Sequence, residues 1–228
     1  GTPLGNSKMV ASTLAEQTRA MVREVRTGQL KRSGLDQFLG EVGDGVALLQ
    51  RNLQRAVELL GDFRQVAADQ ASEQRRVFDL AEVVAEIVHT LSPSLKRHPH
   101  RVVVDIPSGI VMDSLPGPLG QIVINLVNNA YLHAFEGRSD GVLTIDATQD
   151  GDQVLLRFAD NGVGMSAELL EKLFVPFFST KIGKGGTGLG MAIVQNLVAK
   201  TLGGRITVAS APGQGTRFDV VLPATLPF

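Results

Sequence analysis

From Leu35 onward the apolar residues Leu35, Leu39, Val42, Val46, Leu49, Leu53, Ala56, Leu60 and Phe63 recur at alternating steps of four and three. This spacing lays one apolar stripe along a helix and predicts the seam of a bundle or coiled coil. Ser33, three residues ahead of Asp36, offers a side-chain oxygen suited to capping the first turn. Gly43 and Gly45 dissent. Each costs about 1 kcal/mol relative to alanine inside a helix, so bending, fraying or unusually close packing is expected there. Upstream, Leu4, Ala11, Leu14, Met21 and Val25 keep a weaker form of the same period, with Ser7 and Thr18 at the missing steps. The stretch from Thr27 to Gly34 reads as a turn, which makes the first part of the chain an antiparallel helical hairpin. A two-helix hairpin encloses little core. It is expected to pair with a second copy as a four-helix bundle.

The apolar period lapses between Ala67 and Gln74, and Phe78 to Val88 opens a new amphipathic stretch, read as a helix. The boundary therefore falls near residue 72, giving expected domains of 1–72 and 73–228. Beyond it, alternating apolar positions predict strands at Val102–Asp105, Val142–Asp146, Val154–Ala159, Arg205–Ala209 and Thr216–Leu222. Helices are expected near Leu119–His133, Ser166–Leu173 and Leu189–Lys200. The class is α+β, a helical hairpin followed by an α/β sandwich with helices on one mixed or antiparallel sheet.

Composition narrows the function classes. A chain of 228 residues with 43% hydrophobic content can build real cores, so disorder is not expected. Lys and Arg number 22 against 23 Asp and Glu, which leaves no broad basic footprint for nucleic acid or an anionic membrane. Without cysteine there are no disulfides and no thiolate metal sites. No window of 18 apolar residues and no signal peptide is evident, so the chain is expected to be cytoplasmic and to make no membrane contact. It opens Gly1-Thr2-Pro3 rather than with methionine, and is expected to be a piece of something longer, whose parent can be anchored in an inner membrane.

Four polar and glycine-rich clusters then follow in one order: Asn125-Leu-Val-Asn-Asn129-Ala130, Asp160-Asn-Gly-Val-Gly164, Phe174 through Lys181, and Gly185-Gly-Thr-Gly-Leu-Gly190. Asn125 and Asn129 lie four apart and share one helix face, where an amide oxygen can reach Mg²⁺. Taken alone, the pair also reads as two asparagines bridging neighbours. Asp160 ends an alternating strand ahead of Gly162 and Gly164, which suits either a nucleobase subsite or a plain Asp-Asn-Gly turn. Gly186, Gly188 and Gly190 precede a helix, where free backbone N–H groups and the helix dipole favour phosphate. Lys181 and Lys184 add charge or form a solvated loop. Phe174, Phe177 and Phe178 are expected to pack beneath that loop, and the Lys96-Arg-His-Pro-His-Arg101 run to be solvated.

This ordered set resembles the Asn, G1, F and G2 boxes of the GHKL (Bergerat) ATP-binding domain shared by histidine kinases, Hsp90-type chaperones and type II topoisomerases. Phe177-Phe-Ser-Thr-Lys181 and Gly213-Gln-Gly-Thr216 are most similar to bacterial two-component sensor histidine kinases. The resemblance implies binding of ATP and Mg²⁺, with Asn129 as magnesium ligand and Asp160 meeting the adenine amino group. It places Asn125, His133, Gly162, Gly164, Phe174, Thr180, Lys181, Gly186, Thr187, Gly188, Leu189, Gly190 and Thr216 around the nucleotide. Two departures stand out. Asn125 occupies the place where the chaperone and topoisomerase branches put a water-activating glutamate, which speaks for transfer over hydrolysis. Leu132 replaces a basic residue common in the kinases, with His133 beside it.

The opening Thr2-Pro3 resembles the end of a His-Glu-x-x-Thr-Pro motif, so the phosphorylated histidine is expected before the first residue and autophosphorylation by residues 1–228 is not. Thr2 then matches a position that helps dephosphorylate the partner. The implied partners are a second copy of the hairpin and the receiver domain of a response regulator. The alternatives are an ATPase of the same superfamily and a degenerate scaffold that only recruits a receiver.

Overall fold

The computed structural model describes residues 3–28, 31–69, 74–96, 98–181 and 186–227. The chain divides into two compact units, Gly1–Arg64 and Gln65–Phe228.

The first unit holds the helices α1 (Pro3–Thr27) and α2 (Arg32–Asp69), the latter running on past Arg64. Gln17 Nε2 donates to Glu41 Oε2 at 2.6 Å, and Leu14 lies over Gly45. A β-carbon at Gly45 would come within 2.7 Å of the Leu14 side chain, so this glycine is the close-packing case, whereas Gly43 faces open space. Ser33 does not cap α2. The Lys31 carbonyl already accepts from Gly34 and Leu35 N–H at 3.0 and 3.1 Å, so the helix starts earlier and Ser33 lies within its first turn. Ser7 is buried, while Met9, Val25, Leu39 and Leu53 remain exposed.

The second unit is built on a five-stranded sheet of β2 (Arg101–Asp105), β4 (Val142–Asp150), β5 (Gln153–Asp160), β6 (Arg205–Ser210) and β7 (Thr216–Pro223). Their order is β2-β4-β5-β7-β6. The β2–β4 pair is parallel and the others antiparallel, which makes the sheet mixed. Alternate residues of β4, β5 and β7 turn inward, including Leu143, Ile145, Val154, Leu156, Phe158, Val220 and Leu222. They share one core with α3 (Leu80–Leu95), α4 (Pro116–Asn129) and α6 (Gly190–Asn196). On the other side Arg157 reaches both Asp146 and Asp219, at 3.4 and 3.1 Å. This period-two division of apolar from charged residues is what a sheet covered on one face requires.

A second, two-stranded sheet pairs β1 (Arg76–Asp79) with β3 (Val111–Ser114). Phe78 therefore lies in a strand and not in a helix. The helix begins at Leu80, because Asp79 takes the cap and its Oδ1 accepts from Ala81 N–H at 2.8 Å. Gly109 N–H, at 2.7 Å from Oδ2, is the main cause holding the Asp79 pKa below its ordinary value.

Both α4 and α6 finish in a π turn, Ala130–Ala134 and Leu197–Thr201. The short helix α5 (Ala167–Lys172) is capped by Ser166, whose hydroxyl accepts from Leu169 N–H. His98 and His100 form an aromatic cluster with Tyr131 and Phe135, and His100 sits 4.7 Å from the Phe135 ring. The basic run is thus not solvated throughout. Aromatic residues from the end of α4 cover His100, and burial lowers its pKa.

Candidate functional site

One end of the sheet gathers the four clusters. Asp160 closes β5 and lies directly opposite Thr216, the first residue of β7. Its Oδ1 accepts from Gly162 N–H at 2.8 Å and from Thr216 N–H at 3.1 Å. No bond to Oδ2 is present among the described residues. Burial raises the Asp160 pKa, and the two N–H bonds oppose that shift. Asp160 is therefore a half-buried carboxylate with one oxygen fixed and one available to accept.

The loop after Asp160, carrying Gly162 and Gly164, is tied on three sides. Asn161 accepts from Val142 N–H at 2.8 Å, Val163 N–H donates to Ala134 O at 2.9 Å, and Gly213 N–H donates to Val163 O at 2.7 Å. The first asparagine cluster meets the last glycine cluster directly, since a β-carbon on Gly190 would stand 3.6 Å from Asn125 Oδ1. Asn125 Nδ2 is buried without a partner among the described residues. Asn129, the last residue of α4, is half-buried and its side chain makes no hydrogen bond among the described residues.

The π turn then sets His133. In an α-helix a residue four steps on is displaced by about 40° around the axis. The wider π turn winds less per residue, so His133 falls back toward the line of Asn125 and Asn129. Its Nδ1 lies 3.2 Å from Thr180 Oγ1, and Lys181 pairs with Glu136 at the end of the same turn. Burial first, then the Lys181 charge, lower the His133 pKa, against a smaller opposing effect of Glu136.

Gly188 is the hinge point of the last cluster. It has φ +73°, and a β-carbon there would reach 2.5 Å from the Phe177 carbonyl carbon. Only glycine fits both conditions. Phe177 N–H donates to Gly188 O at 2.8 Å, and Phe177 itself is held at φ +66°. Phe174 and Phe178 are half-buried, and Phe174 packs on the core. Phe177 departs from expectation: its side chain is 58% exposed, because the left-handed backbone turns it outward. Gly186 lies against Ser179 and Lys181, Thr187 Oγ1 accepts from Leu189 N–H at 3.4 Å, and Leu189 leads into α6. Thr2, Lys184 and Gly185 lie outside the described residues.

Sequence reasoning missed Ser179, Glu136 and Ser210. Ser179 Oγ accepts from Lys181 N–H at 3.1 Å, and Ser210 binds three groups around Thr216. The turn composition of Ser210-Ala-Pro-Gly-Gln-Gly just before Thr216 was the available signal.

Residues 115–226 match the family described as histidine kinase-, DNA gyrase B- and HSP90-like ATPases. The chain carries a domain of this ATPase family. A sensor histidine kinase, ZraS of Klebsiella oxytoca, is 33% identical over 225 residues, covering 95% of this chain and 47% of the relative. The chain thus spans about half the length of that relative. The catalytic domain of the histidine kinase ThkA matches with a TM-score of 0.59 at 26% identity, over 67% of this chain and 97% of that one. Full-length ShkA, solved in complex with AMPPNP, matches in fold with a TM-score of 0.57 at 23% identity, over 98% of this chain and 46% of that one. The homologues of this ATPase domain are sensor histidine kinases, and the domain type implies use of ATP. Among the described residues, no helix is long and apolar enough to cross a membrane.

Proposed function

We propose that residues 73–228 bind Mg-ATP and form the catalytic domain of a protein histidine kinase, with residues 1–72 as its dimerisation and phosphotransfer hairpin. The observation that carries the reading is the Asp160 carboxylate, fixed through Oδ1 with Oδ2 left to accept, in a site where Asn125 Nδ2 lacks a partner. A nucleotide fits this donor set. An adenine amino group satisfies Asp160 Oδ2, and polar phosphate oxygens satisfy the buried amide. Asn129 supplies one oxygen for Mg²⁺, in keeping with a metal held by few protein groups and mainly by phosphates. His133, Lys181 and the N–H groups of Gly188 and Gly190 are assigned to the phosphate end, since the Gly186 and Leu189 N–H groups already bond Lys181 O and Thr187 Oγ1.

Mg-ATP supplies an electrophilic γ-phosphoryl group whose charge the metal neutralises. The protein's part is positioning. Asp160 and Thr216 fix the base, Asn125 spaces α4 from α6, and Phe177 with Gly188 holds the loop that leads into α6. An amide at Asn125 cannot act as a general base, which supports transfer to an acceptor over hydrolysis of water. None of His89, His98, His100 or His133 is proposed as that acceptor. The acceptor histidine belongs to a segment preceding Thr2, and the phosphoryl group passes on to a receiver aspartate of a response regulator, with Thr2 assisting its removal. The exposed Met9, Val25, Leu39 and Leu53 support pairing of two copies through the helices. The protein acts in the cytoplasm on this reading.

Calorimetric titration with AMPPNP, with and without Mg²⁺, tests the proposal. Magnesium-dependent binding, weakened in both Asp160→Asn and Asn129→Asp, is expected. Absence of binding in the unaltered chain would overturn the kinase reading and favour a scaffold, and steady release of inorganic phosphate from ATP would favour an ATPase.

A further inference from the structure

Val102 and Val104 of β2, with Leu143 and Ile145 of β4, face the core. The same period of two puts His100 and Gly141 on that face, each one residue ahead of its strand. They are neighbours, because Arg101 pairs with Val142 and its N–H donates to Gly141 O at 3.0 Å. Gly141 carries no side chain, which leaves a gap in the inner face beside the His100 ring. Phe135 fills that gap. It is 2% exposed and lies 4.7 Å from the His100 ring, and a β-carbon on Gly141 would come within 2.5 Å of its ring and 2.7 Å of His100 Nδ1. Gly162 leaves a second gap, taken by Ala134, whose carbonyl accepts from Val163 N–H at 2.9 Å. Tyr131 closes the rim, 5.7 Å from the His100 ring and 5.5 Å from that of Phe135.

These contacts fall where the π turn ends. Phe135 N–H bonds Ala130 O at 3.2 Å across five residues, where an α turn spans four. Such turns are rare, so packing has to offset what the backbone loses. Closed as an α turn, the chain would carry Phe135 around the axis and away from Gly141. The longer turn in its place brings His133 Nδ1 to 3.2 Å from Thr180 Oγ1. Gly141 is not held at positive φ, so its missing side chain, and not its backbone freedom, is what the turn requires. His100 serves as a ring, since its Nδ1 is buried with no hydrogen-bond partner among the described residues.

We infer that Gly141 and His100 are positioning residues for the nucleotide site: they form the seat for Phe135 that selects the π over the α register at the end of α4, and through that register they set His133 against Thr180. The effect on nucleotide rests on the reading above, whereas the effect on the turn does not. Neither residue touches the nucleotide on this account.

Nuclear Overhauser contacts between the His133 ring and the Thr180 methyl group, measured in the whole chain without nucleotide, read the turn directly. Titration with AMPPNP and Mg²⁺ reads its effect on the site. Gly141→Ala is expected to abolish the contact and to weaken AMPPNP binding about tenfold, the size of one hydrogen bond. Phe135→Leu in the Gly141→Ala background makes room for the added methyl group and is expected to restore both. His100→Phe keeps a ring at the rim and is expected to keep the contact, while His100→Ala is expected to lose it. A contact that survives in Gly141→Ala or in His100→Ala overturns the inference, as does a loss that the second change at Phe135 does not reverse. Should Gly141→Ala fail to fold, the two His100 variants decide, since His100→Ala adds no atom to the seat. An unaltered chain that shows the contact but binds no AMPPNP overturns the nucleotide reading and leaves the seat to be judged by the contacts alone.

Discussion

The two units treat apolar residues in opposite ways. In the second unit Val84, Ile122, Val123 and Ile145 are wholly enclosed, because a sheet and three helices can close around them. In the helix pair, Val25 is 56% and Leu39 58% exposed although both belong to the periodic pattern that built the helices. Two helices can cover only one stripe of each other, and the remaining apolar surface has no neighbour within the unit. The lesson is that the same kind of pattern specifies a finished core in one place and a demand for a partner in the other.

The sharpest way to break this contrast is to cut the same kind of side chain in each unit. Ile122→Ala removes a fully buried side chain and is expected to cost about 2–5 kcal/mol in urea or thermal unfolding of the domain. Leu39→Ala is expected to change the unfolding free energy of an isolated chain by no more than about 0.5 kcal/mol. It should instead weaken self-association, as read by analytical ultracentrifugation. Equal effects on unfolding in both variants would mean that Leu39 is already enclosed.

Asp160→Asn comes next in size. It removes a charged acceptor while keeping the shape, and a loss of about 1.5–3 kcal/mol in affinity for AMPPNP is expected with the domain's unfolding midpoint nearly unchanged. The pH dependence follows from the raised pKa. The carboxylate is protonated on acidification sooner than an ordinary aspartate, so AMPPNP affinity should begin to fall at a higher pH than that of a typical exposed carboxylate.

A smaller effect sits at His133. Its depressed pKa keeps the ring neutral near pH 7 in the free protein, and incoming phosphate charge favours the protonated form. Binding near pH 6.5 should therefore take up a fraction of a proton, seen by calorimetry in two buffers of different ionisation enthalpy and absent in His133→Gln. Without nucleotide the sign for stability is the reverse. The unfolded chain binds that proton more readily, so His133 subtracts stability as pH drops below the ordinary value of about 6.5.

The smallest expected change is stabilising. Phe177→Gly relieves a left-handed backbone at an exposed position with little packing to lose, and a gain of about 1 kcal/mol, or a few degrees in midpoint, is expected by differential scanning calorimetry. A fall in midpoint would show that the Phe177 ring is buried against something in solution.

How much of this was legible in the sequence depends on whether the signal was local. The five strands of the main sheet announced themselves by alternation, and the four polar clusters by their order. The strands β1 and β3 did not, since four residues are too few to separate period two from a helix turn, and Phe78 fitted the helical spacing of α3. His100 was hidden for another reason: Tyr131 and Phe135 cover it from distant positions in the chain. Ser210 was missed because the turn composition that follows it marks a loop and says nothing of what the serine bonds. Its weight comes from Met165, Gly215 and Thr216, which only the folded sheet assembles.

The π turn after α4 has a further consequence, in the language of chain length. A turn closed from Ala130 to Phe135 holds one residue more than an α turn. Comparison with any relative whose helix continues as α must therefore open a gap of one residue between Asn129 and Phe135, and residues that align by counting forward from Asn129 will not be those that occupy the same place. At this end of the helix the angle around the axis, and not the number along the chain, decides which side chain reaches the site.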